Sequence, residues 1–304
     1  MSSEHLASAQ NLLKGNLAGA WDILSGAQGQ YESLGIARRL GGADAAYSLR
    51  DIGANGGAVV RVRRDTGGGA GDDDEEDFSA NQVSTGAVEA FVGAGNDGFV
   101  EVLYDQSGNF RHAIQETATN QPKIVSSGSL ITVNSKPAIT FDGNDNFLEV
   151  DGTGSAVAYS FSPSGDFGMF IVSKQSVGNV ADSRDAGGDG IFLQQSSSTT
   201  TRFRYNASAN NIDVTATRDA QHFQTMTLDG TTLSGSVDGG TAVTKTVTAG
   251  VSTTKNLVLG KAFSGNNSNF LDGEIQEAIF YENSKSSGDV ENIEADIDNF
   301  YSIT

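Results

Sequence analysis

From Ala45 onward, apolar and polar residues alternate with a period of two. Val59–Arg63 keeps that rhythm, and Phe99–Tyr104 is a run of β-forming residues. Ala138–Phe141 leads into Asp142-Gly143-Asn144-Asp145, a turn signal. Phe167–Val172, Gly190–Leu193, Thr201–Tyr205, Leu257–Leu259 and Glu274–Tyr281 follow, separated by Gly, Asn and Asp clusters. Successive side chains of a strand point to opposite faces, so alternation marks a strand with one buried face. Short strands at regular spacing with turn residues between them predict a sandwich or barrel.

Two segments carry a helical period instead. Leu13, Leu17, Ala20, Leu24, Ala27, Tyr31 and Leu34 lie three and four apart, which predicts a helix from residue 4 to about 40 with one apolar stripe. Gly15, Gly19, Gly26 and Gly29 interrupt it, each costing about 1 kcal/mol relative to Ala. The stripe reads as an oligomerising stem or docking helix, with Leu13, Leu17, Trp21, Leu24, Tyr31 and Leu34 as its contact residues. A helix folded onto its own domain is the simpler alternative. Val290, Ile293, Ile297 and Phe300 keep helical spacing within Ser286–Tyr301, and Ser287 stands as N-cap before Asp289 and Glu291. The organisation expected is a helical segment over 1–45 and a mainly β domain over 46–304 with a short C-terminal helix.

Composition sharpens this. The chain holds 38 Gly and only three Pro, and 37% of its residues are hydrophobic, which suits many tight turns. The net charge of −19 repels phosphate backbones, so no nucleic-acid partner is expected. There is no cysteine for disulfides or thiolate metal sites. The opening MSSEHLASAQNLL lacks a secretory pattern, and no apolar run approaches the roughly 20 residues of a bilayer span. Folding in a reducing cytoplasm, without membrane insertion, is the expectation.

Gly67–Asp77 ends in six consecutive acids from Asp72 to Asp77, which predicts an exposed loop and excludes a strand. Clustered carboxylates also attract calcium, but the spacing and turn glycine of an EF-hand are missing, so no cofactor is expected. His5, His112 and His222 stand apart from one another and read as turn or surface residues. Gly93-Ala94-Gly95-Asn96-Asp97-Gly98 reads as a hairpin turn.

Several stretches together resemble one family. Tyr104-Asp105-Gln106-Ser107-Gly108-Asn109, followed by His112-Ala113-Ile114-Gln115, is the most specific. Ala46–Arg50, Val60–Arg64, Asn120–Val125, Lys136–Gly143 and Gly273–Tyr281 fit the same pattern. They resemble the catalytic domain of α-L-arabinofuranosidase B and its relatives among phage structural proteins. The resemblance covers 45–304, most strongly 45–145. It implies a concanavalin A-like (laminin G-like) antiparallel β-sandwich, a jelly roll.

In the resembling enzymes the nucleophile is a Glu, where Asp189 of Asp189-Gly190-Ile191-Phe192-Leu193 stands here. The acid is an Asp, where Asn266 of Gly265-Asn266-Asn267-Ser268-Asn269 stands. A retaining glycosidase needs two carboxyls about 5–5.5 Å apart, and an amide cannot protonate a leaving group. The resemblance therefore implies a non-catalytic phage virion protein: a capsid decoration, fibre or tail appendage. Residues 1–45 would dock it to other virion proteins and to copies of itself as a trimer. Asp189, Asn266, Tyr104, Asp105 and Tyr205 are the candidates for touching a host surface glycan. Arabinofuranosidase-like hydrolysis of host polysaccharide is the competing reading.

Overall fold

The computed structural model describes residues 42–303, apart from 54–56, 68–73, 155, 164, 207, 249, 251–254 and 264. The expected helix over 4–40, with its contact residues, lies outside the described residues, as do Asp72 and Asp73.

The fold is a mainly β antiparallel sandwich closed by one C-terminal helix. The described residues open with strands β1 (Ala45–Ser48), β2 (Ala58–Asp65) and β3 (Glu75–Ser79), short helices α1 (Ala80–Ser84) and α2 (Ala87–Val92), then strand β4 (Asp97–Leu103). In one sheet, Phe167–Asp182 lies between Gln221–Asp229 and Asp272–Tyr281, and β1 and Ile139–Asp142 share the far edge of the last of these. In the other, the far end of Phe167–Asp182 pairs with Ile191–Ser197 on one side and Val258–Leu259 on the other. The row continues through Leu148–Glu149 and Ala113–Ile114 to β4, β2 and β3.

One long strand thus serves both sheets. It turns the corner at Gly178, whose φ of +95° suits only glycine, with register shifts on either side. Between the sheets pack Phe167, Met169 and Ile171 against Leu193, Phe203 and Tyr205. On the outer side Phe170, Val172 and Phe223 lie beneath Ile293, Ile297 and Tyr301 of α3 (Ser287–Tyr301). Burial on both faces is why Phe167–Val172 is a continuous apolar run and not an alternating one.

Four local expectations are corrected. Glu75–Asp77 is strand, not loop, because each acid meets β2: Arg61 Nε bonds Asp77 Oδ1 at 2.8 Å, and Arg64 grips Asp74 just upstream. Local charge repulsion loses to cross-strand pairing. Ser286, not Ser287, caps α3; its Oγ accepts from Asp289 N at 3.1 Å while Asp289 Oδ2 accepts from Ser286 N. Gly93–Gly98 joins α2 to β4 and is not a hairpin turn. Helices α1 and α2 stand where the period-two rhythm placed none, started by a capping box in which Ser79 and Gln82 answer each other.

Candidate functional site

The motif that carried the resemblance builds a rigid corner. Asp105 follows β4, and its carboxylate accepts from the backbone N–H of Ala46, Ser107 and Arg111 at 2.9, 2.9 and 3.0 Å. Gln106 Oε1 accepts from Ile52 N, and its amide donates to the carbonyls of Ser48 and Arg50. Asn109 Nδ2 donates to the carbonyls of Ala43 and Asp44. These bonds fix the loop on which Phe110 sits.

Phe110 has φ +58°, rare for a bulky residue, and its side chain is 62% exposed. Val157, itself exposed, donates its N–H to Phe110 O at 2.7 Å and steadies that conformation. Among the described residues, the other phenylalanine and tyrosine rings are buried or half-buried, so an exposed aromatic held in a strained backbone stands apart.

Behind Phe110 runs a chain of rings. His112 lies 6.1 Å from Phe110 and 4.9 Å from Tyr104, edge-on to both. His112 Nδ1 accepts from Asp105 N at 3.0 Å, which assigns the ring proton to Nε2. Burial holds the imidazole below its ordinary pKa, against the pull of Asp105, so it stays neutral. Tyr104 donates its hydroxyl to Asp77 Oδ1 at 2.8 Å; burial and that carboxylate push the phenol up to about 12.

His112 and Tyr104 line a cavity of about 180 Å³ with Arg61, Glu101 and Glu116. Glu101 enters it because Arg61 pairs with Val102 and Val62 with Val100, which makes Glu101 the extra residue of a β-bulge. Its Oε2 is shielded from water and accepts no hydrogen bond, with Arg61 Nη1 4.0 Å away. Its carboxyl is pushed up to about 7, first by burial, then by a hydrogen bond to and repulsion from Glu75; Arg61 opposes this. The wall thus offers donors and acceptors in close alternation, and one of its rings, His112, contacts the exposed Phe110, a combination that suits polyhydroxylated ligands.

The raised carboxyl makes stability pH-dependent. Between the ordinary Glu value and about 7, folded Glu101 holds a proton that the unfolded chain lacks. Its contribution is therefore full below pH ~4.3 and is lost as pH rises through about 7. Glu101→Gln is expected to raise the melting midpoint at pH 8 and leave it nearly unchanged at pH 4. Asp182, Glu282 and Glu294 are raised by burial too and contribute the same sign, so wild type and variant are compared across the range. A variant curve parallel to wild type from pH 4 to pH 8 would place the titrating proton elsewhere.

The other sequence candidates fall differently. Tyr205 is fully buried, stacked 5.6 Å from Phe167, with its hydroxyl accepting from Gly250 N; it offers no face to a ligand. Asp105 is buried and its oxygens hold the loop, so it positions the site without reaching into it. Tyr104 lines the cavity. Asp189 is exposed at the end of the loop leaving the long strand, its backbone N–H donating to Asp185 Oδ1. Asn266 lies in a separate loop, where its Oδ1 accepts from Ser268 Oγ at 2.6 Å. His112, read as a surface residue, is instead buried; its place in the Tyr104–Gln115 motif was the signal that could have found it. Arg61 lies within the Val60–Arg64 stretch of the resemblance but is not singled out there, and Glu101 and Glu116 have no sequence signature of their own. Among the described residues, no helix is long and apolar enough to cross a membrane.

No protein-family model matches the sequence, and no curated protein matches it either. Solved structures do share its fold. A GH54 α-L-arabinofuranosidase soaked with a cyclic sulfate inhibitor superposes with a TM-score of 0.60 at 16% identity, over 86% of this chain and 64% of that one. A mutant GH54 enzyme soaked with 4-nitrophenyl α-L-arabinofuranoside gives 0.61 at 17%, over the same shares. An arabinofuranosidase complexed with arabinofuranosyl-α-1,2-xylobiose gives 0.53 at 17%. The chain thus spans 64% of the length of these structures. At such identities the likeness establishes a shared β-sandwich fold.

Proposed function

We propose that the sandwich binds a surface glycan at Phe110 and the adjoining cavity, without hydrolysing it. The observation that carries this reading is Phe110, 62% exposed and held at positive φ, its ring 6.1 Å from His112, which lines the cavity together with Tyr104, Arg61 and Glu101. A sugar ring lying on Phe110 would turn its hydroxyls toward the His112 imidazole, the Arg61 guanidinium and the Glu101 carboxyl. The fold shared with arabinofuranosidases supports a sugar as the ligand class, since one of those enzymes was soaked with 4-nitrophenyl α-L-arabinofuranoside and another is complexed with arabinofuranosyl-α-1,2-xylobiose.

Two arguments favour binding over cleavage. Retaining hydrolysis needs carboxyls about 5–5.5 Å apart with an anomeric carbon between them, whereas Glu75 and Glu101 hydrogen-bond each other. At the positions that the family resemblance assigns to catalysis stand a short Asp189 and an amide, Asn266. The same proposal puts the protein on a phage virion, assembled in the host cytoplasm as a trimer, with residues 1–45 against other virion proteins. The sandwich then faces the host surface.

Phe110→Ala tests the platform. It is expected to weaken binding to arabinan or arabinoxylan oligosaccharides by about 1–3 kcal/mol, roughly 5- to 150-fold, without moving the melting midpoint. Titration calorimetry reads the affinity, and the same samples are assayed for released sugar. Unchanged affinity in the variant, or sugar release that Asp189→Ala or Glu101→Gln abolishes, would sink this reading.

A further inference from the structure

A cross-strand row crosses the second sheet from Ile114, on the wall of the cavity, through Glu149, Val258, Asp182 and Phe192 to Arg204. At about 4.8 Å per strand, Arg204 lies roughly 24 Å from Ile114. Three arginines gather at that far end. Arg184 forks onto Asp182, its Nε and Nη2 at 3.0 and 2.6 Å from the carboxylate. Arg202 forks onto Asp213, with both contacts at 2.7 Å. Arg204 has no such partner. Its Nε donates to the neutral Asn211 Oδ1 at 2.9 Å, and its Nη1 and Nη2 meet no acceptor among the described residues.

Arg204 is nonetheless held in place. Its guanidinium carbon sits 4.7 Å from the centroid of Phe192, and that of Arg184 sits 4.0 Å from the same ring. Arg184 also approaches Phe263, at 5.9 Å. Burial, then Arg184 and Arg202, make the charge on Arg204 less favourable than in water, while Asp182 weakly opposes this. The cluster therefore keeps one unneutralised, oriented guanidinium on a chain whose net charge is −19. Like charges held this close lower their energy by taking up an anion.

We propose that Arg204, backed by Arg184 on Phe192, is a subsite for the carboxylate of an acidic sugar, so that the glycan bound by this sandwich contains uronate residues. A planar guanidinium with both terminal NH2 groups free matches a carboxylate bidentately, which a hydroxyl cannot reproduce. The proposal rests on the glycan-binding reading for its choice of a sugar as the carrier of the carboxylate. Its chemistry stands on the arginines alone.

The test uses the full chain, oligogalacturonate, and the same oligosaccharide with its carboxyls methyl-esterified, titrated by calorimetry. The acid is expected to bind at least about tenfold tighter than the ester, the scale of one charge-assisted bidentate contact. Arg204→Gln should bring the acid down to the level of the ester, and Arg204→Lys, which keeps charge without the fork, should fall between. Phe110→Ala should weaken both ligands and preserve their ratio. Equal binding of acid and ester by the wild type, no binding of the acid, or an acid preference surviving Arg204→Gln would each overturn the proposal. If Arg204→Gln removes the preference while Phe110→Ala changes neither ligand, the uronate subsite stands and the Phe110 platform falls. Melting midpoints of the variants confirm that they are folded.

Discussion

Glu277→Ala is expected to cost about 3–5 kcal/mol of folding stability, a large share of the 5–15 kcal/mol that domains possess. The Glu277 side chain is fully buried, and Arg50 Nε and Nη2 meet its two oxygens at 2.7 and 2.9 Å. Ser48 Oγ and the Tyr301 hydroxyl also donate to Oε2, at 2.9 and 3.2 Å. Arg50 reaches on to Asp296 Oδ2 at 2.6 Å and lies over the Phe300 ring at 4.6 Å. One carboxylate therefore ties the chain just after β1 to the closing strand and to α3. Removing it leaves Arg50, whose side chain is 14% exposed, with Asp296 as its remaining carboxylate, and the lost fork together with the unanswered Ser48 and Tyr301 hydroxyls is the main cost. The combined replacement Arg50→Met with Glu277→Leu should recover most of the loss, since it removes both charges together. Urea unfolding gives the numbers. A single-variant cost below about 1 kcal/mol would mean that the pair is solvated as an ordinary surface bridge is.

Gly178→Ala is expected to be comparably severe, at roughly 3 kcal/mol or more. A Cβ there would stand 2.1 Å from Phe270 O, and backbone cannot yield as a flexible side-chain tip can. The substitution acts where the long strand passes from one sheet to the other. Gly230 is the control: its φ is also positive, at +59°, but nothing lies within 4 Å of a Cβ built on it. Gly230→Ala should cost only about 1–2 kcal/mol, the left-handed penalty alone. Equal losses at the two positions would show that conformation and not crowding sets the effect.

These positions also mark what the amino-acid pattern carried and what it did not. Val59–Arg63 and Phe99–Tyr104 were legible because one face meets the core and the other meets polar groups. Gln221–Asp229 was not, although it is central. Its large apolar residues are Phe223, Met226 and Leu228, and its buried Thr225 is answered by Glu294 of α3 at 2.7 Å, 69 residues away. No local rhythm encodes such a partner. β3 was misread for the same reason, since the acids that repel one another along the chain are answered by arginines on β2. At the site, Tyr104 and Asp105 could be picked out by their motif, but what separates their roles is burial. Tyr205 could have been excluded by parity, because Thr201 and Phe203 share its inward face. The exposure of Phe110 depends on bonds to distant residues, and the raised pKa of Glu101 depends first on its burial and then on Glu75 across the sheet.

The pairing of β1 with Asp272–Tyr281 joins residues such as Ser48 and Gln276, 228 positions apart. A ribosome adding about 5–20 residues per second needs roughly 11–46 s to cover that distance. Throughout that interval Ala45, Ala46 and Tyr47, all buried in the finished protein, have no partner strand. β1 therefore cannot pair until Asp272–Tyr281 emerges, and until then the nascent chain carries it as an open apolar strand. Recombinant yield should respond to holdase chaperones and to slower initiation more than to surface mutations, because the vulnerable species is the unfinished chain.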